Sequence, residues 1–157
     1  MNLSYFNIYN NLVKLTRNKS LYENFTEKDT FSDRLVIFLI HFAFFLKIYK
    51  SKNDKKLMQE IYDYFFRQIE LSIREIGYGD VTINKKMKDY INIFHSILNK
   101  VEKWDTLNQQ SKLDFLKSYL NTAKNPLFFV NYFEKFEDFL SNNTLNYFTN
   151  DIIDPKI

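Results

Sequence analysis

Few residues in this chain are of the types that catalyse reactions or hold metals. The 157 residues include two histidines, His41 and His95, and no cysteine. Neither histidine belongs to an HExxH or ExxH pattern, which supplies the ligands of zinc and di-iron sites, and the lack of cysteine excludes disulfides and thiolate zinc sites. We therefore expect no metal and no other cofactor. His41 lies on one helix stripe with Arg34, where a hydrogen-bonded core histidine is favoured over a polar spot inside a groove.

Both glycines of the chain lie in one short segment, residues 74–80, which reads Arg-Glu-Ile-Gly-Tyr-Gly-Asp. A Gly-x-Gly that lacks a third glycine and follows a helix is not a dinucleotide or phosphate loop. Gly77 comes after a long helical pattern, so we expect it to end that helix with a positive φ. Asp80 is predicted to bond free amides of the next helix, which is expected to begin near Thr82. Two long helices would thus meet at a tight corner.

Three lysines follow this corner: Lys85, Lys86 and Lys88. In the first turns of a helix they would oppose the helix macrodipole, at a cost of roughly 0.3–1 kcal/mol each. One interpretation is a solvated lysine run without a role. The other is a docking surface for an anionic partner, such as lipid headgroups, RNA or an acidic protein loop.

Apolar spacing predicts an all-α fold: a single domain, residues 1–157, with about six or seven helices around an apolar central helix. The central helix starts near Phe31, with Thr30 and Asp33 as a start box, and is apolar nearly all round from Leu35 to Leu46. That run is too short to span a bilayer, which takes roughly 20 residues. Asp54 is the expected cap of the next helix, whose core stripe is Met58, Ile61, Tyr62, Phe65, Ile69, Ile73 and Ile76. We expect further helices at 4–17, 111–122 and from Pro126, capped by Asn125, and a looser tail from residue 142.

The corner segment together with Ile83, Lys85, Lys86, Met87 and Lys88 resembles the signature of the ubiquinol–cytochrome c chaperone family. The resemblance covers residues 8–100, while 101–157 form a helical C-terminal part without a match. The chain differs from the family pattern at Asp33, Glu70 and His95. Other stretches agree in order and spacing: Ile8-Tyr9, Val13, Arg17, Leu21-Tyr22, Asp29-Thr30-Phe31, Arg34-Leu35, Leu39-Ile40-His41, Gln59, Tyr62-Asp63 and Phe66.

The resemblance implies a non-enzymatic assembly chaperone that binds newly made cytochrome b and promotes assembly of the ubiquinol–cytochrome c reductase complex at the inner membrane. It also implies a ribosome contact or a small partner protein. Aromatic-rich helices could offer an apolar surface to client helices, and lysines could hold the protein near the membrane. The candidate partner-binding residues are Arg74, Glu75, Gly77, Tyr78, Gly79, Asp80, Lys85, Lys86, Lys88, Arg34 and His41.

Two other classes of function stay open. One is a peripheral membrane or lipid-surface module without a cytochrome client. The other is a small enzyme that uses Arg74, Glu75, Asp80 and His41. The net charge of +3 is mild and does not require nucleic acid, so we expect no DNA partner. Because no targeting extension is recognisable at the start, we expect a cytoplasmic protein that is peripheral on the inner membrane, or lies on the matrix side in a mitochondrial relative.

Overall fold

The computed structural model describes residues 4–24, 31–121, 123–150 and 157, and in these ranges the fold is all-α, with no β-strand. The predicted fold class is confirmed. Within the described ranges, seven α-helices and two 3₁₀ segments follow one another. Their bounds are α1 Tyr5–Thr16, α2 Lys19–Tyr22, α3 Phe31–Tyr49, α4 Lys55–Glu75, α5 Asp80–Glu102, α6 Gln109–Tyr119 and α7 Pro126–Ser141, with 3₁₀ segments at Trp104–Thr106 and Leu145–Thr149.

Helix α3 is the centre of the bundle, as its nearly continuous apolar sequence predicts. Residues 37–46 are all buried, so this helix has core on every side. The Phe42 ring stacks on Phe65 of α4 at a centroid distance of 4.2 Å and on Phe94 of α5 at 5.2 Å. Burial of a large apolar side chain stabilises the fold by about 1.5–3 kcal/mol, so α3 is the main source of packing energy.

The helices around α3 have fixed directions, which decide what lies at each end of the bundle. Helix α4 returns antiparallel to α3 after the loop at residues 50–54. Helix α5 runs parallel to α3, because the two residues of the Lys50–Glu102 ion pair are as far apart in the sequence as the two residues of the Phe42–Phe94 contact. Helix α7 also runs parallel to α3: Tyr49 Oη donates to the Leu140 carbonyl at 3.1 Å. The starts of α3, α5 and α7 therefore lie at one end of the bundle with the end of α4. We call it the corner end.

Side-chain caps define several helix starts, as the sequence predicts. The Asp54 carboxylate accepts from the Lys56 amide at 3.4 Å and caps α4. Asn125 accepts from the Phe128 amide, also at 3.4 Å, and Pro126 is the first residue of α7. These bonds satisfy amides that have no partner within the helix. Thr30, the first residue of the start box predicted for α3, lies outside the described residues.

Residues 142–150 are not loose, so the prediction of a looser tail is wrong for this described part of it. Leu145–Thr149 forms a 3₁₀ segment that packs against α1, and Phe148 is fully buried. The Asn11 side-chain amide donates to the carbonyls of Phe148 and Asn150, at 2.8 Å each. A segment of five residues is too short to show a helical period in its sequence, so periodicity could not reveal it.

The lysines at the end of α3 are partly used within the fold. Lys47 donates to Asp105 at 2.9 Å and to Glu137, and so ties α3 to the first 3₁₀ segment and to α7. Lys50 pairs with Glu102 of α5. None of the helices in the described parts of the chain is long and apolar enough to cross a membrane.

Candidate functional site

The corner between α4 and α5 is built by its two glycines. Helix α4 ends at Glu75, and Gly77 follows with a φ of 104°, as predicted. The Gly77 amide closes the last turn on the Arg74 carbonyl at 3.0 Å. Gly79 is extended, with φ −74° and ψ 163°, and its carbonyl accepts from the Ile83 amide at 3.0 Å. The chain thus turns from α4 into α5 within four residues, 76–79.

Asp80 has a different role from the one that its position predicts. It is the first residue of α5 instead of a cap, and no side-chain cap bond is present at this helix start. The Asp80 carboxylate instead accepts from Arg74 Nη1 at 2.8 Å, while Arg74 Nη2 lies 3.7 Å from Glu70. The hydrogen bond with Asp80 raises the pKa of Arg74. One guanidinium therefore closes the corner from the last turn of α4 to the first turn of α5.

The three lysines lie farther into α5 than expected, because the helix begins at Asp80 and not near Thr82. Lys85 is the sixth residue of the helix. The macrodipole effect falls off within the first turn, so the predicted dipole cost does not apply. Lys85 and Lys88 are exposed, and no ion pair joins Lys85, Lys86 or Lys88 to any residue that the structure describes.

Large apolar side chains are exposed at the same corner, and the sequence did not predict them. Val81 is 86% exposed, Ile76 50% and Leu71 47%. Ile76 was expected in the core stripe of α4, but it lies one residue beyond the end of the helix, and its side chain there is half exposed. Leu71 lies among charged residues on the outer face of α4. The sequence contained one signal of this exposure: an apolar residue outside the core stripe of its helix, as Leu71 is, is expected to face solvent.

Tyr78 is 42% exposed and completes this set. The Lys86 ammonium lies 4.7 Å from the centroid of its ring, a cation–π contact of about 0.5–1 kcal/mol at an exposed site. We call this set the corner surface. It consists of Leu71, Ile76, Tyr78, Val81, Lys85, Lys86 and Lys88.

Arg34 lies outside the corner surface. Its guanidinium stands 5.3 Å from the centroid of the Tyr22 ring, at the start of α3. Both residues line a cleft of about 310 Å³ between α1, α2, α3 and α4, together with Arg17 and Ile69. Arg34 therefore belongs to a neighbouring cleft at the corner end, and the structure does not bring it together with the lysines.

His41 is fully buried and hydrogen-bonded, as the favoured interpretation predicts. Nδ1 lies 2.7 Å from the Ile37 carbonyl, and Nε2 lies 2.7 Å from the Tyr132 hydroxyl of α7. The carbonyl requires a proton on Nδ1, so Nε2 accepts from the hydroxyl. Burial lowers the pKa of His41 to about 4. A neutral side chain with no exposed atom cannot touch a partner, so His41 is not part of a docking surface.

The constellation required for an enzyme does not assemble. Arg74, Glu75 and Asp80 are exposed at the corner, while His41 faces α7 inside the bundle. No group of three or more His, Cys, Asp or Glu side chains that could hold a metal occurs in the described ranges. His95 is exposed and bonds Tyr62 at 3.1 Å, away from the corner. Arg74, Glu75 and Asp80 therefore make ion pairs or face solvent, and His41 does not lie beside them to transfer a proton.

Most of the aromatic rings of the helices lie in the core of the bundle. Phe42, Phe65, Phe94, Phe133 and their neighbours are buried in one core. Among the Phe, Tyr and Trp rings of the described residues, those of Phe6, Phe31 and Tyr78 are the exposed ones. The high aromatic content thus stabilises the bundle, and the apolar surface open to a partner is concentrated at the corner end.

The described chain is an all-helical bundle with exposed apolar and basic side chains at one corner. The family model described as ubiquinol-cytochrome C chaperone matches residues 23–104, just over half of the chain, and this range contains the whole corner surface. The chain belongs to the ubiquinol–cytochrome c chaperone family. No curated protein and no solved structure matches the chain. The family points to a chaperone role in the assembly of respiratory complex III.

Proposed function

We propose that the protein is a non-enzymatic chaperone that binds newly made cytochrome b and promotes assembly of the ubiquinol–cytochrome c reductase complex. One observation carries the proposal. The region that matches the family contains a corner at which exposed apolar side chains lie together with lysines that form no ion pair in the described part of the chain. Exposed apolar surface next to cations is what a protein needs in order to work beside an emerging membrane protein and the anionic surface around it.

The corner surface is the part through which we expect the chaperone to act. Gly77 and the Arg74–Asp80 bond hold its backbone, so the end of α4, the start of α5 and the turn between them present its side chains. Lys85 and Lys88 are exposed and form no ion pair with any residue in the described ranges. Substitutions at these two positions can therefore test binding to a partner without changing the stability of the fold.

The test is complementation of a strain that lacks the protein. The variant Lys85→Glu with Lys88→Glu should unfold at the same temperature as the wild type within a few degrees, since surface substitutions change stability by about 0.5 kcal/mol or less. It should restore markedly less cytochrome b. The matched control is Lys52→Glu with Lys55→Glu, two exposed lysines at the opposite end of the bundle, which should restore cytochrome b normally.

A tagged pulldown from respiring cells identifies the client. Cytochrome b should copurify with the wild type, and a ribosomal protein or a small partner protein would appear in the same sample if such a contact exists. Copurification of no subunit of the complex, together with full activity of the Lys85/Lys88 variant, would reject the proposal. The second candidate, a lipid-surface module without a client, is favoured by the same exposed apolar corner; it requires unchanged cytochrome b in the deletion strain.

A further inference from the structure

The geometry points to an anionic lipid bilayer as the partner of the corner surface: the bundle stands end-on, with Val81 and Ile76 inserted below the headgroups and Lys85 and Lys88 at the level of the phosphates. This inference deepens the proposed function, because it rests on the corner as its docking surface and names what that surface touches. Its test uses purified protein and vesicles, so it does not need the client.

Exposed apolar side chains are distributed very unevenly over the molecule. The described residues expose seven large ones, and six of them lie at the corner end, because the starts of α3, α5 and α7 and the end of α4 meet there. Only Phe6, at the start of α1, lies at the other end, where Tyr5 bonds Glu60 near the start of α4. The six at the corner end are Phe31, Leu71, Ile76, Tyr78, Val81 and Leu127.

The order of residues along α5 matches the layers of a bilayer surface. Val81, Lys85 and Lys88 follow at steps of four and three, so they lie on one stripe of the helix. With a rise of 1.5 Å per residue, the two lysines lie about 6 and 10 Å behind the apolar tip. Interfacial apolar groups enter the boundary between headgroups and acyl chains by about 5–10 Å. When Val81 reaches that depth, the two ammonium groups are level with the lipid phosphates.

Tyr78 and Lys86 fit the same position. A tyrosine ring places its apolar body below the headgroups and its hydroxyl among them, which explains the enrichment of this residue at membrane interfaces. The Lys86 ammonium lies over the Tyr78 ring, 4.7 Å from its centroid, and is therefore at a similar depth. The pair therefore contributes one aromatic anchor and one more cation at the same depth.

The position of the exposed apolar side chains favours a bilayer over a folded protein partner. Ile76, Tyr78 and Val81 are exposed in the turn and at the start of α5, and they line neither the 310 Å³ cleft nor the apolar cleft of about 440 Å³ around Met58 and Tyr62. Apolar side chains that project outside a cleft need a partner that adapts to them, as lipid does. Of the acids at this turn, Asp80 is bonded to Arg74, which leaves Glu75 to oppose an anionic surface.

The experiment is vesicle co-flotation of the purified full chain. One set of vesicles is phosphatidylcholine alone, and the other contains roughly a third phosphatidylglycerol, an anionic lipid. We expect binding to the anionic vesicles that weakens as salt is raised and is at least tenfold weaker on the neutral ones. Ile76→Ser with Val81→Ser, and separately Lys85→Gln with Lys88→Gln, should each weaken binding at least tenfold, whereas Glu75→Gln should strengthen it.

Matched controls at the other end of the bundle make the result specific. Phe6→Ser removes an exposed apolar side chain, and Lys52→Gln with Lys55→Gln removes two exposed cations; both should bind like the wild type. Thermal unfolding verifies that each variant is folded. The inference is overturned if the wild type does not float with anionic vesicles, if the controls lose as much binding as the corner variants, or if the corner variants bind fully.

The outcomes also separate this inference from the proposed function. If the wild type ignores vesicles while cytochrome b copurifies in a manner that depends on the corner, the bilayer inference is wrong and the chaperone proposal stands. If vesicle binding depends on the corner but the deletion strain has normal cytochrome b, the bilayer inference stands without the client. Dimerisation in solution that Val81→Ser abolishes, without any vesicle binding, would assign the corner to a second copy of the chain and overturn the inference.

Discussion

Gly77 and Gly79 occupy one turn but have different backbone conformations. Gly77 has a φ of 104°, a region that costs residues with a Cβ about 1–2 kcal/mol, whereas Gly79 has a φ of −74° that any residue adopts. An ideal Cβ at either position would have no atom within 4 Å. Packing therefore does not distinguish the two sites, and only the backbone does.

The two alanine substitutions form a matched pair. Gly77→Ala should lower the free energy of unfolding by about 1 kcal/mol or more, because the added Cβ strains the left-handed conformation. Gly79→Ala should stay within about 0.5 kcal/mol of the wild type, since its conformation is ordinary. Urea unfolding followed by circular dichroism measures both. Equal effects of the two substitutions would show that the positive φ of Gly77 is not what determines its identity.

At the scale of elements, the contact between α3 and α7 contains a buried hydrogen bond from Tyr132 to His41. Burial lowers the pKa of His41 to about 4, from 6.5 for the free side chain. Between these two values the unfolded chain takes up a proton that the folded protein excludes. The histidine thus favours the folded state fully above about pH 6.5, and this contribution is lost as the pH falls toward 4.

We expect the wild type to lose about 2 kcal/mol of stability from this source between about pH 7 and pH 5. The double variant His41→Phe with Tyr132→Phe removes both hydrogen-bonding groups together and should lose that much less over the same interval. His95→Gln is the matched control, because His95 is exposed, and it should keep the wild-type slope. Urea unfolding at the two pH values gives the slopes. An unchanged slope in the double variant would show that the buried histidine does not exclude the proton.

The elements of this fold could be predicted from the sequence wherever one periodic signal dominated. Helices α3, α4 and α7 and the caps Asp54 and Asn125 follow from apolar spacing and from local side-chain chemistry. The start of α5 could not be predicted, because Asp80 has two possible partners, the first amides of its own helix and the Arg74 guanidinium. Only the closure of the corner in three dimensions decides between them.

The candidate site was predictable in part, for a similar reason. The glycines and lysines of the corner stand out by their residue types, and the family resemblance points to the same segment. The exposed apolar residues do not stand out, since Ile76 continues the spacing of the core stripe and is excluded from the core only because α4 ends there. Periodicity shows which face of a helix is apolar, but it does not show where the neighbouring helix stops covering that face.

For the whole molecule, the contact between α1 and the second 3₁₀ segment joins parts that are distant in sequence. Phe148 has no exposed surface, and Asn11 reaches the carbonyls on both sides of Thr149. Phe148 also lies outside the residues that match the family. The core of the bundle therefore extends beyond the residues that match the family, which supply only part of it.

Phe148→Ala should lower the free energy of unfolding by about 3–5 kcal/mol, the usual cost of a cavity of this size in a core. Asn146→Ala, at an exposed position of the same segment, is the control and should change it by less than about 0.5 kcal/mol. Urea unfolding of the full chain measures both. A loss below about 1 kcal/mol for Phe148→Ala would show that the segment lies on the bundle without being part of its core.

This contact also constrains when the protein can finish folding during its own synthesis. Asn11 on α1 is synthesised before its partners, because the carbonyls that it binds belong to residues 137 and 139 positions later in the chain. Pairing over such a separation is slow to form, and domains complete as units only when all their parts have emerged. Until residues 145–149 have been synthesised, the α1 face that packs against Phe148 therefore lacks its native partner.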